Sequence, residues 1–166
     1  MGARVATTTS SANVDLVKSL GADVVVDYKK DDFEKTLWDC DVVLNRLDEQ
    51  TLHKSLSVLK PHGRLVSISG PPDPAFAQEV GLGWGVRQVM RLLSHRIRKA
   101  AERHRVSYSF LFMRASGDHL REIAALIDAG VIRPVVDRVY PFESIEEALA
   151  YVDTGRAKGK VVVKLR

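Results

Sequence analysis

The stretch ARVATTTSSANVDLVKSLGADVVVDY, residues 3–28, decides the fold. It begins with a short β-rich run that ends in threonines and serines, and it closes on an apolar triplet at residues 24–26. Between them lies a helical pattern with an apolar residue at every third position, which we expect Asn13 to cap and Gly21 to end. A strand, a helix and a strand that is apolar on both faces are the parts of a parallel βαβ unit.

The same alternation continues along the chain. Apolar runs at residues 42–44 and 65–68 predict two further buried strands, and Leu52, Leu56 and Leu59 form a helical stripe between them. Successive strands are about 20 residues apart, a spacing typical of strand–helix units. The sequence therefore predicts an α/β fold with a doubly wound parallel sheet.

The second half of the chain predicts a different set of elements. In order, they are a long basic helical segment at 81–105, a strand at 108–113, a helix closed by Gly130, an extended run at 135–139, a helix opened by a capping box at Ser144, and a final strand at 160–165.

The composition is that of an ordinary globular domain. The chain has 166 residues, of which 45% are hydrophobic and 28% charged. No apolar run approaches the roughly 18 residues that a membrane span needs, and the first residues do not resemble a signal peptide. Cys40 is the single cysteine, which excludes an internal disulfide and a zinc site built from cysteines. We therefore expect a cytoplasmic protein with no membrane partner.

Five segments resemble one known family. Residues 3–11, 20–23 and 26–28 resemble the second and third strands of the medium-chain dehydrogenase/reductase superfamily, in its zinc-independent quinone-oxidoreductase-like branch. Residues 59–66 are similar to the fifth strand of that family with the turn before it, and residues 155–162 to its C-terminal signature. The resemblance implies a Rossmann-like sheet and NADP-dependent hydride transfer to an enone, a quinone or a similar carbonyl-conjugated small molecule.

One element of the family pattern is missing. The family has a first strand and a glycine-rich turn, G-x-G-x-x-G, whose helix N-terminus holds the pyrophosphate. This sequence has no such motif. We therefore expect an incomplete dinucleotide-binding domain at residues 1–133, with a basic helical insertion at about 80–105. Residues 134–166 would belong to the catalytic domain in the family. NADP binding by this chain is expected to be weak or absent, and the chain alone is expected to be inactive.

The resemblance also implies cofactor contacts. It places the 2′-phosphate of NADP at Thr9, Ser10, Ser11 and Tyr28, because neutral hydroxyls stand where NAD enzymes carry an acidic residue. The alternative is that such a Thr-Ser run only forms a turn and a helix cap. Weaker contacts are implied at Ser67, Ser69, Gly70, Phe110, Leu111 and Lys160.

No catalytic residue and no metal ligand is predicted. The five histidines lack ligand spacing, and Cys40 has no nucleophile-elbow context.

The basic segment is open to several interpretations. Between Val86 and Arg105 lie seven Arg or Lys residues and one Glu, while the rest of the chain is close to neutral. Such a helix could bind a membrane surface or nucleic acid. We favour a solvated helix over the substrate cleft, with its apolar face on the sheet, so we do not expect nucleic acid as a partner.

Two other classes of protein remain open. Residues 41–44 and 59–65 also resemble the middle of an S-adenosylmethionine-dependent methyltransferase, and a non-enzymatic module could dimerise or bind a polyanion through residues 86–105. A missing first strand would leave unpaired edges at the centre of the sheet. We therefore expect that the sheet closes the gap or that a second copy fills it, giving a homodimer through sheet edges.

Overall fold

The computed structural model describes residues 2–165. Met1 and Arg166, at the outer ends of the two expected domains, lie outside the described residues. The chain forms two compact units, residues 1–114 and 115–166. The first unit ends at residue 114, earlier than the boundary expected after residue 133. Residues 115–133 therefore group with the C-terminal strands.

The first unit alternates strands and helices in the predicted order. Its strands are β1 (Ala6–Thr9), β2 (Val24–Asp27), β3 (Cys40–Asn45), β4 (Leu59–Ser67) and β5 (Ser107–Phe110). Its helices are α1 (Val14–Ser19), α2 (Phe33–Thr36), α3 (Glu49–Lys54), α4 (Pro74–Glu79), α5 (Trp84–Leu93) and α6 (His95–Arg103).

The strands of this unit are parallel but form two sheets. Strand β1 pairs with β2, and β3, β4 and β5 form a separate three-stranded sheet in that order. Among the described residues β1 and β3 are not hydrogen-bonded to each other. The expectation that the sheet closes its central gap was therefore wrong, because the two edges stay unpaired. Filling of the gap by a second copy stays a prediction.

Strand β4 begins earlier than predicted. Leu59 pairs with Cys40 and Arg64 pairs with Val42, so four residues of β4 bulge out of the register. In this bulge His62 has a φ of 69° and its amide donates to the carbonyl of Arg105 at 2.7 Å. The assignment of Leu59 to the preceding helix was wrong: α3 ends at Lys54.

The core of the first unit lies where α3 and α6 pack on the second sheet. Its buried apolar side chains are Leu52, Leu56, Leu59, Leu65, Ile97, Ala101 and Val106. Complete burial of each leucine contributes about 1.5–3 kcal/mol. This cluster fixes β4 at the centre of the sheet and so positions the carboxyl ends of β3, β4 and β5.

The basic segment is two helices rather than one, with the break at Ser94. Helix α6 buries Ile97 and Ala101 in the core, as we expected for the whole segment. Helix α5 buries no residue. Its apolar face was expected on the sheet; that expectation was wrong, because its aliphatic side chains face solvent.

The second unit contains a helix followed by a small βαβ unit. Helix α7 (Gly117–Asp128) precedes β6 (Val136–Pro141), α8 (Ile145–Asp153) and β7 (Lys160–Lys164). Strands β6 and β7 are parallel. Tyr151 of α8 donates from its hydroxyl to Asp137 at 2.6 Å, and the Arg138 guanidinium lies 4.0 Å from the centre of its ring. These contacts hold α8 against β6.

No helix within residues 2–165 is long and apolar enough to cross a membrane.

Candidate nucleotide-binding site

The register of β1 and β2 brings the predicted phosphate ligands to one edge. Thr9, the last residue of β1, lies opposite Asp27, the last residue of β2. Ser10 and Ser11 therefore follow the carboxyl end of one strand, and Tyr28 follows that of its parallel neighbour. The amide of Tyr28 donates to the carbonyl of Thr9 at 3.0 Å. Tyr28 is 61% exposed. Ligands bind at this end of the strands in open α/β sheets.

Asp27 is a member of this edge that the sequence analysis missed. Its carboxylate accepts a hydrogen bond from the Ser11 hydroxyl at 2.5 Å and another from the Lys29 amide at 3.1 Å. The Lys30 ammonium lies 3.8 Å away. The Ser11 hydrogen bond is the largest cause that lowers the pKa of Asp27, so the carboxylate is charged at neutral pH. Ser11 is thus already engaged, and a negative charge stands beside the predicted phosphate position.

Lysines offset this negative charge. An open depression of about 360 Å³ lies beside Tyr28 and is lined by Tyr28, Lys29, Lys30, Asp31, Asp32, Lys35 and Thr36. Lys35 pairs with Asp32 at 3.1 Å. Within residues 2–165 the Lys29 ammonium has no ion-pair partner, so it is the cation of this group that remains available to an anion.

The carboxyl ends of β3, β4 and β5 form a second group. Ser67 is fully buried, and its hydroxyl oxygen accepts from the Gly70 amide at 2.8 Å. The Ser69 hydroxyl donates to the carbonyl of Leu47 at 2.7 Å. A side chain at Gly70 would meet the Ser67 and Tyr108 hydroxyl oxygens at 2.9 Å. The Ser67 side chain therefore positions this turn and has no surface to offer a ligand.

Asp73 ties this turn to the end of β5. Its buried carboxylate accepts from the Phe76 amide at 2.8 Å, which caps α4, and from the Phe110 amide at 3.0 Å. The Leu111 amide donates to the carbonyl of Ser67 at 2.9 Å. Because both amides are engaged, the main-chain groups that Phe110 and Leu111 can still offer a ligand are their carbonyl oxygens.

Two polar groups near these strand ends have unusual surroundings. The side-chain oxygen of Asn45, the last residue of β3, is buried without a hydrogen-bond partner in the described structure. Such an atom costs about 1–3 kcal/mol, which a ligand N–H or O–H would offset. Burial, and then the charge of Asp73, raises the pKa of Tyr108 to about 12, so its phenol stays protonated and donates to the carbonyl of Pro71 at 2.7 Å.

The remaining predicted residue, Lys160, lies in the second unit. It is exposed at the start of β7, and its amide donates to the carbonyl of Val135 at 2.7 Å.

The described residues do not fit a metal ion. Nowhere between residues 2 and 165 do three His, Cys, Asp or Glu side chains come together as a metal would require. A nicotinamide nucleotide fits better, because among the described residues the hydroxyls of Thr9, at the end of β1, and of Ser10, just after it, have no hydrogen-bond partner, and an unpaired amide oxygen ends β3.

Parallel strands with polar groups at their carboxyl ends define the class: an α/β protein with a Rossmann-like fold. A family model described as zinc-binding dehydrogenase matches residues 20–163. The chain belongs to this family, which confirms the resemblance seen in the sequence. The membership argues against the methyltransferase alternative.

Two of the similar proteins are named as NAD(P)H or NADPH oxidoreductases. The chain is 35% identical over 172 residues to the mitochondrial NAD(P)H oxidoreductase RTN4IP1 of Danio rerio, covering 99% of this chain and 43% of the relative. It is 30% identical over 162 residues to the chloroplastic NADPH-dependent alkenal/one oxidoreductase of Arabidopsis thaliana, covering 96% of this chain and 33% of the relative.

A solved structure shows the same fold. The quinone oxidoreductase from Coxiella burnetii superposes with a TM-score of 0.75 at 22% identity, covering 99% of this chain and 46% of that chain. The chain therefore spans less than half the length of the proteins it matches.

Proposed function

We propose that this chain is the nucleotide-binding portion of an NADP-dependent oxidoreductase that reduces an enone, a quinone or a similar carbonyl-conjugated small molecule. The relatives whose names include NAD(P)H or NADPH support a nicotinamide cofactor. The alkenal/one and quinone oxidoreductases among the similar proteins support the substrate class.

One observation carries the choice of NADP over NAD. Thr9 ends β1 and Ser10 and Ser11 follow it, and none of them is acidic. A carboxylate at this position would accept hydrogen bonds from a ribose 2′-OH and repel a 2′-phosphate, whereas hydroxyls donate to the phosphate. Thr9 and Ser10, with Tyr28 and the unpaired Lys29, would hold the phosphate. The negative charge of Asp27 weakens this preference.

The residues of the second sheet would position the other end of the cofactor. When bound, the nicotinamide supplies the hydride. The turn held by Ser67 and Gly70 would approach the cofactor through its main chain, and the end of β5 would offer carbonyl oxygens. Asp73 keeps these two segments in place. No side chain of this group is assigned to proton transfer.

The isolated chain is expected to bind NADP weakly and to be inactive by itself. Its two nucleotide-binding edges, on β1–β2 and on β3–β5, share no strand hydrogen bonds in the described structure. Holding both ends of a dinucleotide would therefore require the sheets to be fixed first, which costs binding free energy. A homodimer through the sheet edges and a cytoplasmic location also stay proposals; two relatives are named mitochondrial and chloroplastic.

The test is a calorimetric titration of the purified chain with NADPH, NADH and S-adenosylmethionine. We expect weak NADPH binding that exceeds NADH binding. Ser10→Ala and Tyr28→Phe each remove one donor to the phosphate and should weaken NADPH binding about tenfold, without an effect on NADH. Ser57→Ala, an exposed serine elsewhere in this unit, is the matched control. Equal losses for both cofactors would exclude a 2′-phosphate site here, and saturable S-adenosylmethionine binding alone would exclude the proposed function.

A further inference from the structure

Helix α5 presents its apolar arc to solvent. At 100° per residue, four aliphatic side chains fall on one side of the helix, and all are exposed: Val86, Val89, Leu92 and Leu93. The opposite side carries the half-buried Arg87 and leads to the fully buried Ser94, while Met90, also half-buried, lies at the edge of the arc. Arg87 donates to Gln78 of α4 at 3.3 Å. An ordinary surface helix has the reverse arrangement, so this face is built to contact something apolar.

Cations lie on the next helix. Helix α6 buries Ile97 and Ala101, so its orientation is fixed by the core. Arg96, Lys99 and Arg103, at spacings of three and four residues, share its exposed face. None of these three cations forms an ion pair among the described residues. Their charge is therefore available to an anionic partner.

We propose that α5 and α6 together form a docking surface for an anionic lipid membrane. Surfaces that lie in a membrane interface combine an apolar face, rich in residues such as leucine, with basic side chains beside it. Helix α5 has ten residues, so it is about 15 Å long. The apolar arc would enter the headgroup–acyl boundary while the cations of α6 contact lipid phosphates.

The charge and apolar character of this surface favour an anionic membrane over a second copy of the chain or a nucleic acid. A second copy packed face to face would bring two basic segments together, each with seven cations and one Glu between Val86 and Arg105. Such like charges repel. A nucleic acid would accept the cations but leave the exposed leucines in water. An anionic bilayer surface would both cover the exposed leucines and pair with the cations. The earlier expectation of no membrane partner depended on the absence of a membrane span, which does not bear on a helix that lies flat.

Flotation with lipid vesicles tests the proposal. The chain is mixed with vesicles of phosphatidylcholine alone and with vesicles in which phosphatidylserine replaces part of it. We expect binding to the anionic vesicles only. Leu92→Glu should reduce it at least tenfold, because Leu92 is 76% exposed and would be a membrane contact. The double variant Arg96→Glu with Lys99→Glu should also reduce it tenfold or more.

Matched controls separate docking from unfolding. Leu120 of α7 is 67% exposed, and Leu120→Glu should leave vesicle binding unchanged. Circular dichroism should show that all variants keep the native helix content. The proposal is overturned if anionic vesicles do not bind the chain, or if neutral vesicles bind it equally well. It is also overturned if α5 already forms a dimer that Leu92→Glu dissociates, or if the segment retains duplex DNA instead of vesicles.

Discussion

Replacing Asp73 with alanine is expected to lower the free energy of unfolding by roughly 2–4 kcal/mol. The buried carboxylate accepts two amides, from Phe76 at 2.8 Å and from Phe110 at 3.0 Å. Loss of the first removes the cap of α4, which costs about 1 kcal/mol. Loss of the second leaves the Phe110 amide without its partner, which costs about 1–3 kcal/mol more.

Asp48 provides a matched comparison. It caps α3 in the same way and accepts the Thr51 amide at 2.7 Å, but it is exposed. The hydrogen bond from Thr51 lowers the pKa of the Asp48 carboxyl. Because only the cap is lost, Asp48→Ala should cost about 1 kcal/mol.

Urea unfolding of the two variants measures both losses of stability. The midpoint should fall much further for Asp73→Ala than for Asp48→Ala, with the same denaturant dependence. NADPH affinity should also fall for Asp73→Ala, because the end of β5 is released, and should not change for Asp48→Ala. Equal losses of stability would refute the role assigned to the Asp73–Phe110 hydrogen bond.

Three further predictions follow from the same geometry. Gly70→Ala should lower the free energy of unfolding in urea by about 1–3 kcal/mol, because its methyl group would lie 2.9 Å from the Tyr108 hydroxyl. Gly83→Ala is the control and should be nearly neutral, because a methyl group there would meet nothing within 4 Å. Tyr108→Phe should flatten the pH dependence of stability: the folded-state pKa of about 12 is above the ordinary 10.0, so the wild type loses stability as pH rises through that window. The variant lacks that loss, and equal pH curves would contradict the assignment. Asp27→Asn should raise the affinity for NADPH relative to NADH in calorimetry, because it removes a charge beside the 2′-phosphate position; an unchanged ratio would place the phosphate elsewhere.

The sequence predicted the parallel strands because buried strands of this kind are continuous apolar runs. The triplet at 24–26 became β2, and residues 42–44 became part of β3. Leu59 was misassigned because Leu52, Leu56 and Leu59 all enter one core. Spacing shows that residues share a buried face, but here it could not show that the chain had left the helix.

The predicted helix caps show a second limit of the pattern. Asn13 and Ser144 have the right residue types, yet neither side chain forms a cap hydrogen bond. Each is the last residue of a 3-10 turn, and the backbone there is not extended: ψ is 3° at Asn13 and 27° at Ser144. Capping side chains occur at Asp48, Asp73 and Ser116, all of which are extended. An extended backbone is common to the residues that cap, but it is not sufficient, because Asp32 and Ser10 are also extended and form no cap hydrogen bond. The residue type alone therefore does not specify the cap.

The candidate site could be predicted only in part, because some of its residues come together only through the pairing of strands. The hydroxyls after β1 could be recognised from the chain itself. Asp27 could not be placed beside Ser11 until the register of β1 and β2 was known, since the two residues are sixteen positions apart. The outward face of α5 was missed because periodicity tells which side chains share a face and does not tell whether that face is covered.

The unpaired edges of β1 and β3 have a consequence for motion. Because no strand hydrogen bond joins the two sheets in the described structure, β1, α1 and β2 can open as a small cooperative unit while β3–β5 stay intact. Amide hydrogens of β2 should therefore exchange with deuterium faster than those of β4. A nucleotide that touches both sheets would act as a cross-link between them, and its binding would slow exchange in β2 far more than in β4.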